Sequence, residues 1–396
     1  MLTESQRRLP ISLLQYSLIL IFPVLALCGG TPLCGADPAI APLTLNAPLD
    51  WQISQRQNRT QGSIHLAGNR APDVRVEWRI AGSPLAGEWS QDWQALALDE
   101  CEADFSMDVA VPAGGWYRLE MRALRDGQLV KETVVEHVGV GEIFVIAGQS
   151  NAANYGSEKQ RTETGMVSSF DGNIWRVGHD PQRGAGGVDG SFMPAFGDTM
   201  NTTFHVPIGL IPLAVGATSV REWLPKGEKV DRLTTTGAGL KEIGPAQWEA
   251  KGEWFAALAA RLIQFGPHGC RAVLWHQGES DAGQARSGYP ADRQISGDDY
   301  TRYMATLVLA SRQTAGWAVP WFTAQTTYHS EDDAADPEFR AAQKSLWEKT
   351  LVLEGPDTDA LRADYRSGVH FNANGLQRHG QLWAARVGPW LEAQIQ

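Results

Sequence analysis

Between about Leu43 and Val140, apolar and polar residues alternate with a period of two. In "VRVEWRI" the residues Val74, Val76, Trp78 and Ile80 fall on one side, with Arg75, Glu77 and Arg79 on the other. "FSMDVAV" repeats the pattern with Phe105, Met107, Val109 and Val111, and "YRLEMRA" with Tyr117, Leu119 and Met121. Successive side chains of a strand point to opposite faces, so the alternation predicts strands buried on one face only. Turn-forming stretches such as "AGNRAPD" and "PAGGW" separate them. Short alternating strands at this spacing predict a small antiparallel β-sandwich, Ig-like, over residues 43–140. No pattern in this part suggests catalysis.

After residue 140 the periodicity changes. Continuous apolar runs ("IFVIA", "IGLIPLAV", "AVLW", "PWFTA", "LVL") alternate with stretches of helical spacing. Tyr300, Tyr303, Met304, Leu307 and Val308 make one helix face. Trp254, Leu258, Leu262 and Phe265 make another, which Gly266-Pro267 ends. The last helix carries Leu376, Trp383 and Val387. Unbroken apolar strands alternating with helices predict a parallel sheet covered on both faces, a three-layer α/β domain over residues 141–396.

In an open parallel sheet, ligands bind beyond the carboxyl ends of the strands. The residues just after the apolar runs are "GQSN" (Gly148–Asn151), "GATS" (Gly216–Ser219), "HQGESD" (His276–Asp281) and "QTTYH" (Gln325–His329). All are small or polar, and a parallel sheet brings them to one rim. A serine hydroxyl there needs a base to take its proton and donors for the oxyanion formed when it attacks a carbonyl. Ser150 is the candidate nucleophile and His370, in "RSGVHFNANG" before the last helix, the candidate base. Gly216 offers an unobstructed backbone N–H, and Gln277 an amide side chain, as oxyanion donors.

GQSN after a strand, then GATS with a following tryptophan, WHQGESD and a C-terminal GVHFN resemble the SGNH-hydrolase superfamily. The nearest branch is the sialate O-acetylesterase-like carbohydrate esterases, which include acetylxylan esterases. The resemblance covers roughly Val138 to the C-terminus, and a preceding β-sandwich is common in that branch. It implies a flavodoxin-like α/β hydrolase domain and a serine esterase that removes O-acetyl groups from a carbohydrate through an acyl-enzyme, with neither metal nor cofactor. It also implies Ser150 as nucleophile, His370 as base, and an oxyanion hole from the N–H groups of Ser150 and Gly216 with the Gln277 amide. Many relatives carry an aspartate three residues before the histidine; here Ser367 stands there. Glu279 is then the preferred orienting acid, with Asp364 as the alternative and an unassisted Ser–His pair as a third reading.

Each of these residues has a plainer reading. Ser150 is also a reasonable helix cap, Gly216 a tight turn, and Gln277 a brace for loop backbone. Glu279 is equally suited to a salt bridge with Arg221. His276 and His379 are read as structural, and His329 as lining the cleft. Trp223, just past GATS, is the tryptophan placed near the site; most others of the fifteen are read as packing. "HQGESD" clusters His276, Glu279 and Asp281, but no second histidine has ligand spacing and no HExxH motif exists, so a metal site is not expected. Two rival functions remain: an inactive carbohydrate-binding protein on the same fold, and an esterase for lipid or aryl esters.

Composition narrows the partners. A formal net charge of −11 argues against nucleic acid or anionic membrane, leaving an acetylated carbohydrate as the expected one. The beginning of the chain, with Arg7 and Arg8, an apolar run from Ile11 to about Leu27 and small residues up to Ala36, reads as a secretory signal over residues 1–36. A retained membrane anchor is the alternative. Export to the periplasm or the extracellular space is therefore expected. Beyond the leader only Cys101 and Cys270 remain, read as two free thiols rather than a bridge. Sequons at Asn58 and Asn201 matter only in a glycosylating host.

Overall fold

The computed structural model describes residues 41–85, 87–97, 102–234, 236–284, 290 and 293–395. The leader segment and Cys101 lie outside the described residues.

The alternating region folds into β1 (Leu43–Ala47), β2 (Gln52–Gln55), β3 (Gln61–Arg70), β4 (Arg75–Pro84), β5 (Trp89–Ala95), β6 (Asp104–Pro112), β7 (Gly114–Arg125) and β8 (Gln128–Gly148). A separate antiparallel sheet has the order β1-β3-β6. Strands β5, β4, β7 and β8 pair antiparallel in a second, larger sheet. Of the residues expected to point inward, Val76, Ile80, Val109, Val111, Leu119 and Met121 share one core, which Ile64 and Leu66 of β3 join. The outer face of β4 and β7 carries ion pairs, with Arg79 and Arg118 on Glu120 and Arg122 on Glu77.

Strand β8 runs unbroken for 21 residues. Its first stretch pairs with β7, and its second, from Glu142, belongs to a parallel sheet. The boundary read at residues 140/141 falls inside this strand. From Val138 to Gly148 every residue is buried, which is why the alternation disappears there: both faces are covered.

Beyond β8 come β9 (Val167–Phe170), β10 (Trp175–Val177), helix α1 (Met193–Phe204) and β11 (Ile208–Pro212). The small antiparallel strands β12 (Lys229–Val230), β13 (Leu240–Gly244) and β14 (Gln247–Ala250) follow, then α2 (Glu253–Phe265) and β15 (Ala272–His276). Helices α3 (Glu279–Gln284) and α4 (Gly297–Ala315), β16 (Trp321–Gln325), α5 (Pro337–Glu348) and β17 (Leu353–Asp357) come next. The chain finishes with β18 (Arg366–Ser367), β19 (His370–Phe371) and α6 (Ala373–Gln394). The large sheet has the order β10-β9-β11-β8-β15-β16-β17, parallel throughout except for β10.

The end of β8 shows how the helices cover it. Phe144 and Ile146 pack with Phe196 of α1 and Trp383 and Val387 of α6. Ile143, Val145 and Ala147 pack with Leu258 and Leu262 of α2 and Met304 and Leu307 of α4. The expected face of α4 is buried, and α2 ends at Gly266 with φ 71°. One strand differs from expectation. "LVL" is mostly a connection, because the N–H groups of Leu351 and Val352 bond back to Leu346 O at the end of α5, and β17 starts only at Leu353. The architecture is thus mixed α/β, one large mixed sheet beside a separate antiparallel one. Among the described residues no helix is long and apolar enough to cross a membrane.

Candidate active site

The parallel strands β11, β8, β15 and β16 deliver their carboxyl ends to one rim. Strand β8 ends at Gly148, where φ is 131° and a β-carbon would stand 2.0 Å from His276 O. Only glycine fits so close to the neighbouring backbone. The chain then enters a 3₁₀ turn, Ser150–Ala152, with Ser150 only 6% exposed. The Gln149 N–H donates to His276 O at 2.9 Å, and the Val215 N–H to Gly148 O at 3.0 Å. Segments GQSN, GATS and HQGESD are therefore stitched side by side. Among the described residues, neither the Ser150 nor the Gly216 backbone N–H has a hydrogen-bond partner.

Gln277 is buried, and its amide Nε2 shares its two hydrogens among Asp281 Oδ2 (2.8 Å), Thr218 O (3.1 Å) and Gln149 Oε1 (3.3 Å). Asp281 also accepts from Ser219 Oγ at 2.6 Å and Val220 N–H at 2.9 Å, and it pairs with Arg221 at 3.5 Å. Arg221 and Asp281 are both fully buried. This network fixes the loop carrying Gly216 to the turn after β15.

Glu279 opens α3 and is 1% exposed. Its Oε1 accepts from Asn151 Nδ2 at 2.8 Å and lies 3.7 Å from His276 Nδ1; its Oε2 is buried with no partner among the described residues. The Asn151 amide also donates to Val369 O at 3.3 Å. One side chain thus joins the residue after Ser150, the Glu279 carboxylate and the residue before His370.

Strand β19, which begins at His370, packs against the Ser150–Ala152 turn, and Phe371 O accepts from the Ser157 N–H at 3.0 Å. The loop is clamped by Arg366, whose guanidinium donates to Leu361 O, Thr358 O and Val369 O at 2.7–2.9 Å and lies over the Phe371 ring at 3.8 Å. Burial holds the His370 imidazole below its ordinary value; the Glu279 charge opposes this, and Arg366 adds to it. The His370 ring stacks on Tyr155 with centroids 5.5 Å apart. The Ser150 hydroxyl makes no hydrogen bond to the His370 ring. Asp364 is exposed, its carboxylate has no partner among the described residues, and it is absent from the charges that act on His370.

Three other histidines near the rim act as braces. His276 is fully buried with Nε2 3.0 Å from Thr358 Oγ1, and burial pushes it down to about 4, so it is neutral. His379 accepts from Trp383 Nε1 at 3.0 Å, its ring 4.8 Å from that of His276. His329 donates from Nε2 to the Glu279 carbonyl, holding the turn rather than presenting a free ring. Trp223 needs a correction: it is fully buried, donates to Thr218 Oγ1 and packs against Trp275, so it offers no face to a ligand. Cys270 is a buried free thiol, pushed up to about 12 by burial. The sequence reading passed over Asn151, Tyr155 and Arg366. Asn151 stood within the quoted GQSN, but its partners lie 128 and 218 residues away.

This rim belongs to an ester-bond hydrolase, a carbohydrate esterase. Residues 140–388, more than half of the chain, match the family described as carbohydrate esterase, sialic acid-specific acetylesterase, and the chain belongs to that family. Among solved structures, a carbohydrate acetylesterase from Xanthomonas citri is similar at 15% identity and a TM-score of 0.49, over 87% of this chain and 76% of that one. A β-glucuronidase from Parabacteroides merdae overlaps at 11% identity and a TM-score of 0.26, over 72% of this chain and 33% of that one. A search of curated proteins finds no match.

Proposed function

We propose that the protein is an exported serine esterase that removes O-acetyl groups from a carbohydrate, on a three-layer SGNH-type domain preceded by a β-sandwich. The observation that carries this reading is a pair of unpartnered backbone N–H groups, those of Ser150 and Gly216, on the rim where the serine and histidine segments meet. Preorganised donors of that kind stabilise the charge that develops on a carbonyl oxygen under attack.

Ser150 Oγ attacks the acetyl carbonyl carbon as His370 accepts its proton. The resulting oxyanion takes hydrogen bonds from the N–H groups of Ser150 and Gly216. Gln277 joins them by exchanging its longest bond, to Gln149 Oε1, for one to the oxyanion. Collapse of the intermediate breaks the bond to the sugar oxygen, which takes the proton from His370, and leaves acetyl on Ser150. Water then attacks the acyl carbon as His370 takes its proton; the bond to Ser150 Oγ breaks, His370 returns the proton to that oxygen, and acetate leaves. The unpartnered Glu279 Oε2 serves as the acceptor that orients the ring and stabilises the imidazolium, a role its burial and its charge effect on His370 support. Asp364, being exposed, is the weaker choice.

Replacing Ser150 with alanine is expected to lower kcat on an aryl acetate by roughly a thousandfold or more and to abolish labelling by a fluorophosphonate. A variant that keeps the wild-type rate overturns the reading. The family description makes O-acetylated sialic acid the first carbohydrate to assay, with acetylated xylan second; acetate release from each decides between them.

A further inference from the structure

Tyr155 stands five residues after Ser150, in a segment that the mechanism above does not use. One face of its ring stacks on His370, with an angle of 24° between the planes. Three glycines surround the rest of it. A β-carbon added at Gly216 would stand 2.7 Å from the tyrosine hydroxyl oxygen and 2.8 Å from the ring carbon bearing it. One at Gly187 would stand 3.1 Å from the ring, and one at Gly186 3.3 Å from the hydroxyl. The first of these spacings admits a side chain at residue 216 only if the tyrosine moves, and the others are tighter than ordinary van der Waals contact. The loops at 186–187 and 216 are thus shaped around this one aromatic ring. Yet Tyr155 remains 38% exposed, and its hydroxyl has no hydrogen-bond partner among the described residues. A phenol packed this closely along its body and left open at its polar tip is arranged to meet a ligand.

Building on the esterase reading, we infer that Tyr155 sets the acyl-group size the enzyme accepts and that its hydroxyl donates a hydrogen bond to a substrate oxygen. The ring fills the space between the base and the glycine of the proposed oxyanion hole. The methyl of an acetyl group must lie near that space once its carbonyl oxygen points at the Gly216 N–H. A rigid aromatic wall rejects longer acyl chains because each added methylene either clashes or pushes the ring off His370. Fitted apolar walls discriminate by about tenfold or more per methylene.

The test compares kcat/KM for p-nitrophenyl acetate, propionate and butyrate in the wild type, Tyr155→Ala, Tyr155→Leu and Tyr155→Phe. The wild type is expected to prefer acetate over propionate by at least about tenfold and over butyrate by at least about a hundredfold. Tyr155→Ala and Tyr155→Leu flatten that ratio whatever happens to the absolute rate, and the leucine variant keeps the answer available if the alanine variant fails to fold. Tyr155→Phe keeps the ratio but raises KM for an acetylated sugar relative to the aryl ester. A steep acetate preference surviving in a folded Tyr155→Ala or Tyr155→Leu protein overturns the wall, and an unchanged KM in Tyr155→Phe overturns the hydroxyl contact. Ser150→Ala, assayed in parallel, separates the outcomes: if it is active the esterase mechanism fails, and if it is inactive while the acyl profile stays unmoved, only the role of Tyr155 fails.

Discussion

The outer face of β4 and β7 and the rim above β8 and β15 are built from the same chemical pairs but differ in how far water reaches them: on the sheet face Glu120 is 8% exposed and its arginines stay open, whereas on the rim both partners are enclosed. On the sheet face, Arg79 and Arg118 are about half exposed while they pair with Glu120. On the rim, Arg221, Asp281, Gln277 and Glu279 are at most 1% exposed. An ion pair in water competes with hydration and salt and contributes little; the same pair inside the protein must be completed atom by atom or it destabilises. The open arginines of the sheet face therefore tolerate change, and the rim does not.

Breaking the rim at Glu279 should give the largest effect. Glu279→Gln is expected to lower kcat/KM on an aryl acetate by roughly 10²–10⁴-fold, as loss of an orienting acid does elsewhere. Its pH profile carries a second signature. The wild-type acid limb should lie below the ordinary histidine value of about 6.5, because burial depresses His370. Glu279 opposes that depression, so removing its charge should move the limb further down; an upward move contradicts the placement of its charge beside the base.

Asp281→Ala should come next, leaving Arg221 buried without its carboxylate and costing about 3–5 kcal/mol in a denaturant titration. Smaller again is a pH effect. His276 is held neutral in the fold, at about 4, and reverts to about 6.5 on unfolding, so the unfolded chain binds the extra proton between those values. Stability should be complete above about pH 6.5 and decline as pH falls toward 4, with the slope reduced in His276→Gln. At the bottom of the scale, Arg118→Ala on the sheet face, where the arginine is half exposed and Glu120 keeps Arg79, should change stability by about 1 kcal/mol or less and leave kcat/KM untouched. A loss comparable to that of Asp281→Ala would erase the contrast between the two regions.

How much of this was legible in the sequence follows from range. Period-two strands, the buried face of α4 and the glycine stop of α2 depend on neighbours a few residues away, and they could be read directly. The four rim motifs were legible because a parallel sheet sends strand ends to one side whatever its strand order. Trp223 was misplaced because an aromatic after a functional loop looks the same in sequence whether it faces a cleft or props the loop from beneath. Asn151 and Tyr155 escaped because their partners at 279, 369–370 and 186–187 lie in other loops, and neither belongs to a hydrophobic period. The continuity of β8 was hidden by Gly139 and Gly141, which resemble a linker but sit inside a paired strand, close against Pro207.

That continuity has a consequence for the chain's modularity. Glu142, wholly buried, is neutralised from both sides of residue 140: Arg56 reaches it from β2 at 2.6 Å and Arg271 from the start of β15 at 2.6 Å, while Gln55 satisfies the Ile143 N–H. Cutting the protein before residue 141 would not release an intact hydrolase; it would strip one of two cations from a desolvated anion on the strand that leads to Ser150. Swapping the front portion for another module therefore has to carry Gln55 and Arg56 along with it.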